Sequence, residues 1–119
     1  MLPTKTITIG KNVIIAELAT TNKQKNDGLS GRKGLEEGTG MLFEFDTPSI
    51  EGFWMKDMLF SLDIIWADSS GIIVTIFQNL SPATYPNVFK PTVAARYVLE
   101  LPAGYAAAHS IAVGDKIVL

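Results

Sequence analysis

Lys56, Asp63, Arg96 and Glu100 are the residues whose types and spacing best suit chemistry. All four fall in or beside stretches with strand character, where a charge buried alone costs free energy and needs a partner. Asp63 and Glu100 could act as paired carboxylates, one acid and one base, with Lys56 adjusting their protonation or holding an anionic group. A glycosidase-like pair would need carboxyl separations of about 5–5.5 Å or 6.5–9.5 Å across an open cleft. The competing readings are an ion-pair cluster that fixes strand register, and carboxylates that simply face water; these structural readings carry more weight. Trp54, with Phe53 and Trp66, offers a platform for a sugar face or an apolar ligand, although core or rim packing is the commoner fate of tryptophan. In an alternating strand Trp54 and Lys56 share one face, and Phe53 and Met55 the other.

Other candidates are weaker. Gly31-Arg32-Lys33-Gly34 superficially matches the loop of KH domains but lacks flanking helices and a basic field. Arg32 could grip an anion; more simply, it pairs with a carboxylate, Glu100 or Asp63. Gly10-Lys11-Asn12 is not a phosphate loop, since no Ser or Thr follows the lysine. His109 stands alone, with no nucleophile elbow to serve, at the expected C-terminal end of a short helix. Asp68-Ser69-Ser70-Gly71 lacks the spaced acidic ligands of a calcium loop. Asp115 is most simply a turn residue. Tyr85, Pro86, Phe89 and Pro91 put two aromatics on a rigid loop suited either to partner contact or to covering the core.

Composition narrows the field further. The chain has 119 residues, one domain's worth. With 10 basic and 12 acidic residues the net charge is −2, which disfavours nucleic acid and anionic lipid as partners. The absence of cysteine excludes disulfides, thiolate metal sites and cysteine nucleophiles. A single histidine excludes a multi-histidine metal site within the chain, and no cofactor or metal is expected. No apolar run is long enough to span a bilayer, and Met1 to Lys5 does not open a signal peptide, so the sequence reads as a soluble chain.

The elements that must position these residues are short. Thr6 to Ile9 and Val13 to Ala19 predict a hairpin across Gly10-Lys11-Asn12. Thr21 and Gln24 have capping-box spacing for a polar helix that Gly28 would stop. Five glycines between 28 and 40 predict loop, with one helical turn around Leu35. Met41 to Phe45 and Gly52 to Lys56 have strand texture. Leu62 to Ala67 and Ile72 to Leu80 flank a four-residue hairpin loop. Three prolines between 81 and 91 exclude a central strand there. Arg96 to Leu101 alternates, with Tyr97, Leu99 and Leu101 on one face and Arg96, Val98 and Glu100 on the other. Tyr105 to His109 predicts a short helix, and Lys116 to Leu119 a closing strand. Seven or eight strands, two short helices and no βαβ rhythm predict a mainly β, mostly antiparallel sandwich or barrel.

Seven runs occur together in a familiar order: Gly28-Leu29 with Arg32 and Leu35; Gly40 to Phe43; Phe53 to Lys56; Leu62 to Ile65; Tyr97 to Leu101; Ala103-Gly104; and Gly114-Asp115. In this the chain resembles the domain of unknown function 192 family, from about Val13 to Leu119. The resemblance implies a compact jelly-roll-like β fold and, for many members, a place outside the cytoplasm, any leader or anchor being absent from this sequence. Some relatives carry cysteines in the proline-rich loop; this chain has none. The family brings no established reaction.

The function expected on these grounds is a small binding module for a polar small molecule, a glycan or an envelope component, using Trp54, Lys56, Asp63, Glu100, Arg32 and Arg96. The alternatives are a hydrolase built on Asp63 and Glu100, and a structural or protein-interaction domain without a small-molecule site.

Overall fold

The computed structural model describes residues 2–119; Met1, at the start of the segment read above for a signal peptide, lies outside them. Seven strands form one curled sheet, a half-barrel: β1 (Thr4–Ile9), β2 (Asn12–Ala19), β3 (Thr39–Ser49), β4 (Leu62–Ala67), β5 (Ile73–Leu80), β6 (Ala95–Pro102) and β7 (Ile117–Val118). Their spatial order is β5-β4-β6-β3-β2-β1-β7. The mainly β expectation holds, as one curled sheet rather than two stacked ones. Every pairing is antiparallel except β2 with β3, whose parallel register sets Ile15 beside Thr39 and Ala19 beside Phe43. The chain makes that parallel crossover through α1 (Asn22–Asp27) and the glycine-rich loop. α1 has the expected capping box: the Thr21 hydroxyl accepts from Gln24 N–H, and the Gln24 side chain accepts from Thr21 N–H. Gly28 ends it at φ +49°, a conformation most side chains avoid. No helical turn forms around Leu35.

The ends of the sheet meet. Ile72, just before β5, forms a bridge with Lys116, just before β7. Ile117 N–H donates to the Gly71 carbonyl at 2.8 Å, and Ile73 N–H to that of Asp115 at 2.8 Å. Gly71 must be glycine here, because a Cβ would lie 2.5 Å from the Ile117 carbonyl oxygen. The Asp68 carboxylate shapes the same hairpin loop by accepting from Ser70 and Ile72 N–H.

Strands β3, β4 and β6 are buried on both faces, so two cores lie back to back. One packs Ile7, Ile14, Ile65, Leu99 and Leu101 under α2 (Tyr105–Ala108). The other packs Met41, Phe43, Leu62, Ile64, Trp66 and Val98 under the loops that carry Leu29, Met55 and Met58. Each such fully buried aliphatic side chain stabilises the fold by roughly 1.5–3 kcal/mol. The predicted alternation of β6 is the physical division between the two: Leu99 and Leu101 enter the first core and Val98 the second. Gly52 to Lys56 is not a strand. Phe53 makes a single bridge with Phe89, after which residues 55–58 turn, with Asp57 at φ +59°.

Candidate functional site

Register decides where the two carboxylates go. On β4 and β6, Asp63 lies opposite Leu101 and Ile64 opposite Glu100. Residues directly opposite in an antiparallel pair share a face, so Asp63 belongs to the Leu101 side and Glu100 to the Ile64 side. The paired-carboxylate arrangement weighed as an alternative from the sequence is therefore not formed: the two side chains lie on opposite faces. A sheet separates the two groups, and no substrate reaches both.

Asp63 is fully buried and saturated. Its carboxylate accepts from Asn79 N–H at 2.9 Å, Gly104 N–H at 3.1 Å and Ala106 N–H at 2.9 Å. Asn79 stands in the left-handed region at φ +55°, where β5 slips register against β4, and so aims its N–H at Asp63. The group ties the end of β5 to the entry of α2. These contacts give it the geometry of a structural anchor.

Glu100 is also buried, at 5% exposure, yet among the described residues no side chain or backbone N–H donates to its carboxyl and no cation lies within 4 Å. No wholly enclosed side-chain polar atom among those residues is left unpaired. The oxygens of Glu100 are therefore the ones that open on the cleft it lines. Burial pushes this carboxyl up to about 8. At neutral pH it is mostly protonated and offers an O–H donor. Gly40 makes its placement feasible: a Cβ there would lie 2.7 Å from the Glu100 carbonyl oxygen, so only glycine lets β3 approach β6 this closely.

The cleft over Glu100 encloses about 320 Å³, at the small end of ligand-pocket volumes of roughly 300–1,000 Å³. Phe43, Phe45 and Phe53 wall it, Leu29 and Met58 add apolar surface, and Trp54 stands at its edge. Phe53 is held edge-on against Phe43 (centroids 5.0 Å apart) and against Trp66 (5.9 Å). The loop after α1 is latched to the 55–58 turn, with the Ser30 hydroxyl donating to the Lys56 carbonyl and Gly31 N–H to that of Asp57. Two ammonium groups face rings at the rim, Lys25 Nζ 4.3 Å from the Phe45 centroid and Lys56 Nζ 5.6 Å from that of Trp54.

Of the six residues expected to form a site, Trp54, Lys56 and Glu100 come together here. Asp63 lies across the sheet. Arg32 pairs with neither Asp63 nor Glu100; its guanidinium is bidentate on Glu17, Nη2 to Oε1 being 3.0 Å. Arg96 lies outside the cleft, its Nε–H donating to the Phe45 carbonyl at 3.1 Å and Nη2 3.9 Å from Glu44. The two tryptophans also part company. Trp66 is core, its indole N–H donating to the Glu51 carbonyl, whereas Trp54 is 46% exposed against Tyr85. Tyr85 thus brings the proline-rich loop to the edge of the cleft, while Phe89 of that loop packs against the core. His109 stacks on Tyr105, its ring nitrogens facing Asn12 Oδ1 at 2.9 Å and Glu37 Oε1 at 3.4 Å. Sequence reasoning missed Lys25, Phe43 and Phe45, which line the cleft; the alternation of Phe43 and Phe45 in β3 was the signal for the two phenylalanines.

Comparison with known proteins supports the fold and adds no activity. The chain matches the DUF192 family, described as uncharacterized ACR, over residues 5–119, and belongs to it. No curated protein is significantly similar. A crystal structure of a protein of unknown function from Novosphingobium aromaticivorans DSM 12444 superposes with a TM-score of 0.92 at 29% identity, covering 99% of this chain and 86% of that one. A second, from Sinorhizobium meliloti 1021, carries the provisional description of a transcription regulator. It superposes with a TM-score of 0.91 at 27% identity, covering 98% of this chain and 93% of that one.

Proposed function

We propose that this member of the DUF192 family is a small-ligand binding module whose site is the cleft over Glu100. One observation carries the reading: a buried carboxyl with no protein partner opens on a cleft walled by aromatic rings. Its oxygens open on the cleft, so a ligand seated there can supply the hydrogen-bond partner that the protein does not. The candidate residues of the site are Trp54, Lys56 and Glu100, joined by Lys25, Phe43, Phe45 and Phe53. Asp63, Arg32 and Arg96 support the scaffold. The Sinorhizobium protein's description finds less support in this chain. Helices of six and four residues are short for reading a DNA groove, and the net charge is −2.

A thermal-shift screen of glycans, nucleotides, organic anions and amines tests the proposal. A ligand at 100 times its Kd adds about 2.7 kcal/mol, several degrees for a domain of this size. The expected hit loses its shift in Trp54→Ala, which folds because that indole is half exposed, and in Glu100→Gln. Hits indifferent to both substitutions, or no hit of any class, would overturn the reading.

A further inference from the structure

We infer that the cleft takes a ligand bearing a primary ammonium group, which pairs with the Glu100 carboxylate between the aromatic walls. The inference rests on the cleft being a binding site and names the chemistry that site selects.

Three observations carry it. First, the buried carboxyl at the base of the cleft lacks a cation, and the protein's own ammonium groups are engaged elsewhere: Lys25 over Phe45 and Lys56 over Trp54. Secondly, those two contacts show that the rings around this cleft already present their faces to ammonium groups. Phe43 and Phe53 extend the aromatic wall. Thirdly, the charged groups facing the cleft from the surrounding elements do not neutralise an ionised Glu100. Lys25 and Asp27 come from α1, Glu51 from the loop after β3, and Lys56 and Asp57 from the 55–58 turn. Asp27 is already paired with Lys23 at 2.7 Å, which leaves Glu51 and Asp57 against Lys25 and Lys56, so an ionised Glu100 is the unbalanced charge. From the sheet itself, the residues opposite Glu100 are Met41 and Ile64, neither charged. No histidine lines the cleft.

The pairing has a proton balance. Glu100 is held mostly protonated by burial, so an ammonium ligand binds as the carboxyl proton leaves to solvent, and the N–H donors of the ligand take its place on the oxygens. Affinity then follows the deprotonated fraction. With the group at about 8, it rises roughly fiftyfold between pH 6 and pH 8, and binding near pH 7 releases close to one proton. A ligand that instead accepts a hydrogen bond from the neutral carboxyl shows the reverse slope.

The experiment is an amide NMR titration of the full chain with n-butylammonium, n-butanol and butyrate at pH 6, 7 and 8. Proton release is counted by calorimetry in two buffers of different ionisation enthalpy. The expected result is that butylammonium shifts the amides of Gly28 to Ser30 and Gly52 to Met58, with affinity rising with pH, and that Glu100→Gln weakens it at pH 8 at least tenfold. Butanol, with the same apolar body, binds more weakly and without the pH slope. Butanol or butyrate binding as tightly at the same amides, or a butylammonium affinity that is flat or falls with pH, overturns the ammonium assignment and leaves the binding cleft standing. No shift from any of the three, while a hit from the thermal screen maps to those amides, overturns only the ligand class. No ligand of any class at those amides overturns both readings.

Discussion

The two faces of the β4–β6 pair each hold one buried carboxyl, and the surroundings of the two differ. On the α2 side, Asp63 collects three backbone N–H groups from two segments distant in sequence. On the other side, Glu100 collects none and meets a cleft instead. Burial alone therefore does not mark a functional acid. A carboxylate whose lone pairs are filled by backbone donors is part of the scaffold. A carboxyl without such donors, buried beside a cleft, keeps its proton instead.

The sharpest way to break this contrast is at Asp63. Removing its carboxylate in Asp63→Ala strands three backbone donors in a dry core. It should cost about 4 kcal/mol or more in urea unfolding, since each hydrogen bond to a charged acceptor contributes roughly 1.5–3 kcal/mol. Asp63→Asn should lose less, because one oxygen still accepts while the amide N–H groups oppose a backbone donor. The next largest effect has the opposite sign. Glu100 stays protonated in the folded chain up to about 8, whereas the unfolded chain releases that proton near the ordinary glutamate value. Its contribution to stability is fully present below the unfolded-state value and is lost as pH rises through about 8. The Glu100→Gln variant should therefore lack this fall, of about 1.4 kcal/mol per pH unit, and be the more stable protein at pH 8 by on the order of 4 kcal/mol. A variant less stable than wild type at pH 8 would mean that Glu100 is anchored as Asp63 is.

Gly40→Ala probes the backbone beneath the carboxyl. Its Cβ would meet the Glu100 carbonyl at 2.7 Å, so the strands must part, at a cost of about 2 kcal/mol. The titration of Glu100, followed by carboxyl NMR, should move with it. Arg32→Ala is the smallest test. The bidentate Arg32–Glu17 pair is partly exposed, and its loss should cost about 0.5 kcal/mol by thermal melting and leave ligand binding at the cleft intact.

Much of the fold was legible in the sequence, and for identifiable reasons. The capping box at Thr21 and Gln24, the glycine stop at 28 and the Asp68–Gly71 loop are local signals, carried by residues that satisfy their own neighbours' backbone groups. The alternation of residues 96–101 likewise assigns Leu99 and Glu100 to opposite faces. Relations between strands were not legible. Leu62-Asp63-Ile64-Ile65-Trp66-Ala67 is buried at every position, so it has no polar face to mark its orientation. Only the register with β6 separates Asp63 from Glu100. The partner of Arg32 was equally out of reach, because the parallel β2–β3 pairing that encloses the glycine-rich loop has no local signature. At Gly52 to Lys56 the alternation is real without a strand: Met55 is buried while Trp54 and Lys56 face out, although the backbone turns instead of pairing.

The seam between the start of β5 and the segment before β7 has a consequence for how copies of this chain behave together. An unpaired strand edge is a template for intermolecular pairing. Here Ile72 to Ile73 and Asp115 to Ile117 occupy each other's edges, and Thr92 N–H bonds the Thr75 hydroxyl a little further along β5. The segments behind the seam, Leu62 to Ala67 and Ile73 to Leu80, are apolar, rich in β-branched residues and nearly free of charge, the composition that stacks into fibrils once exposed. Loosening the seam should therefore expose these edges and promote aggregation.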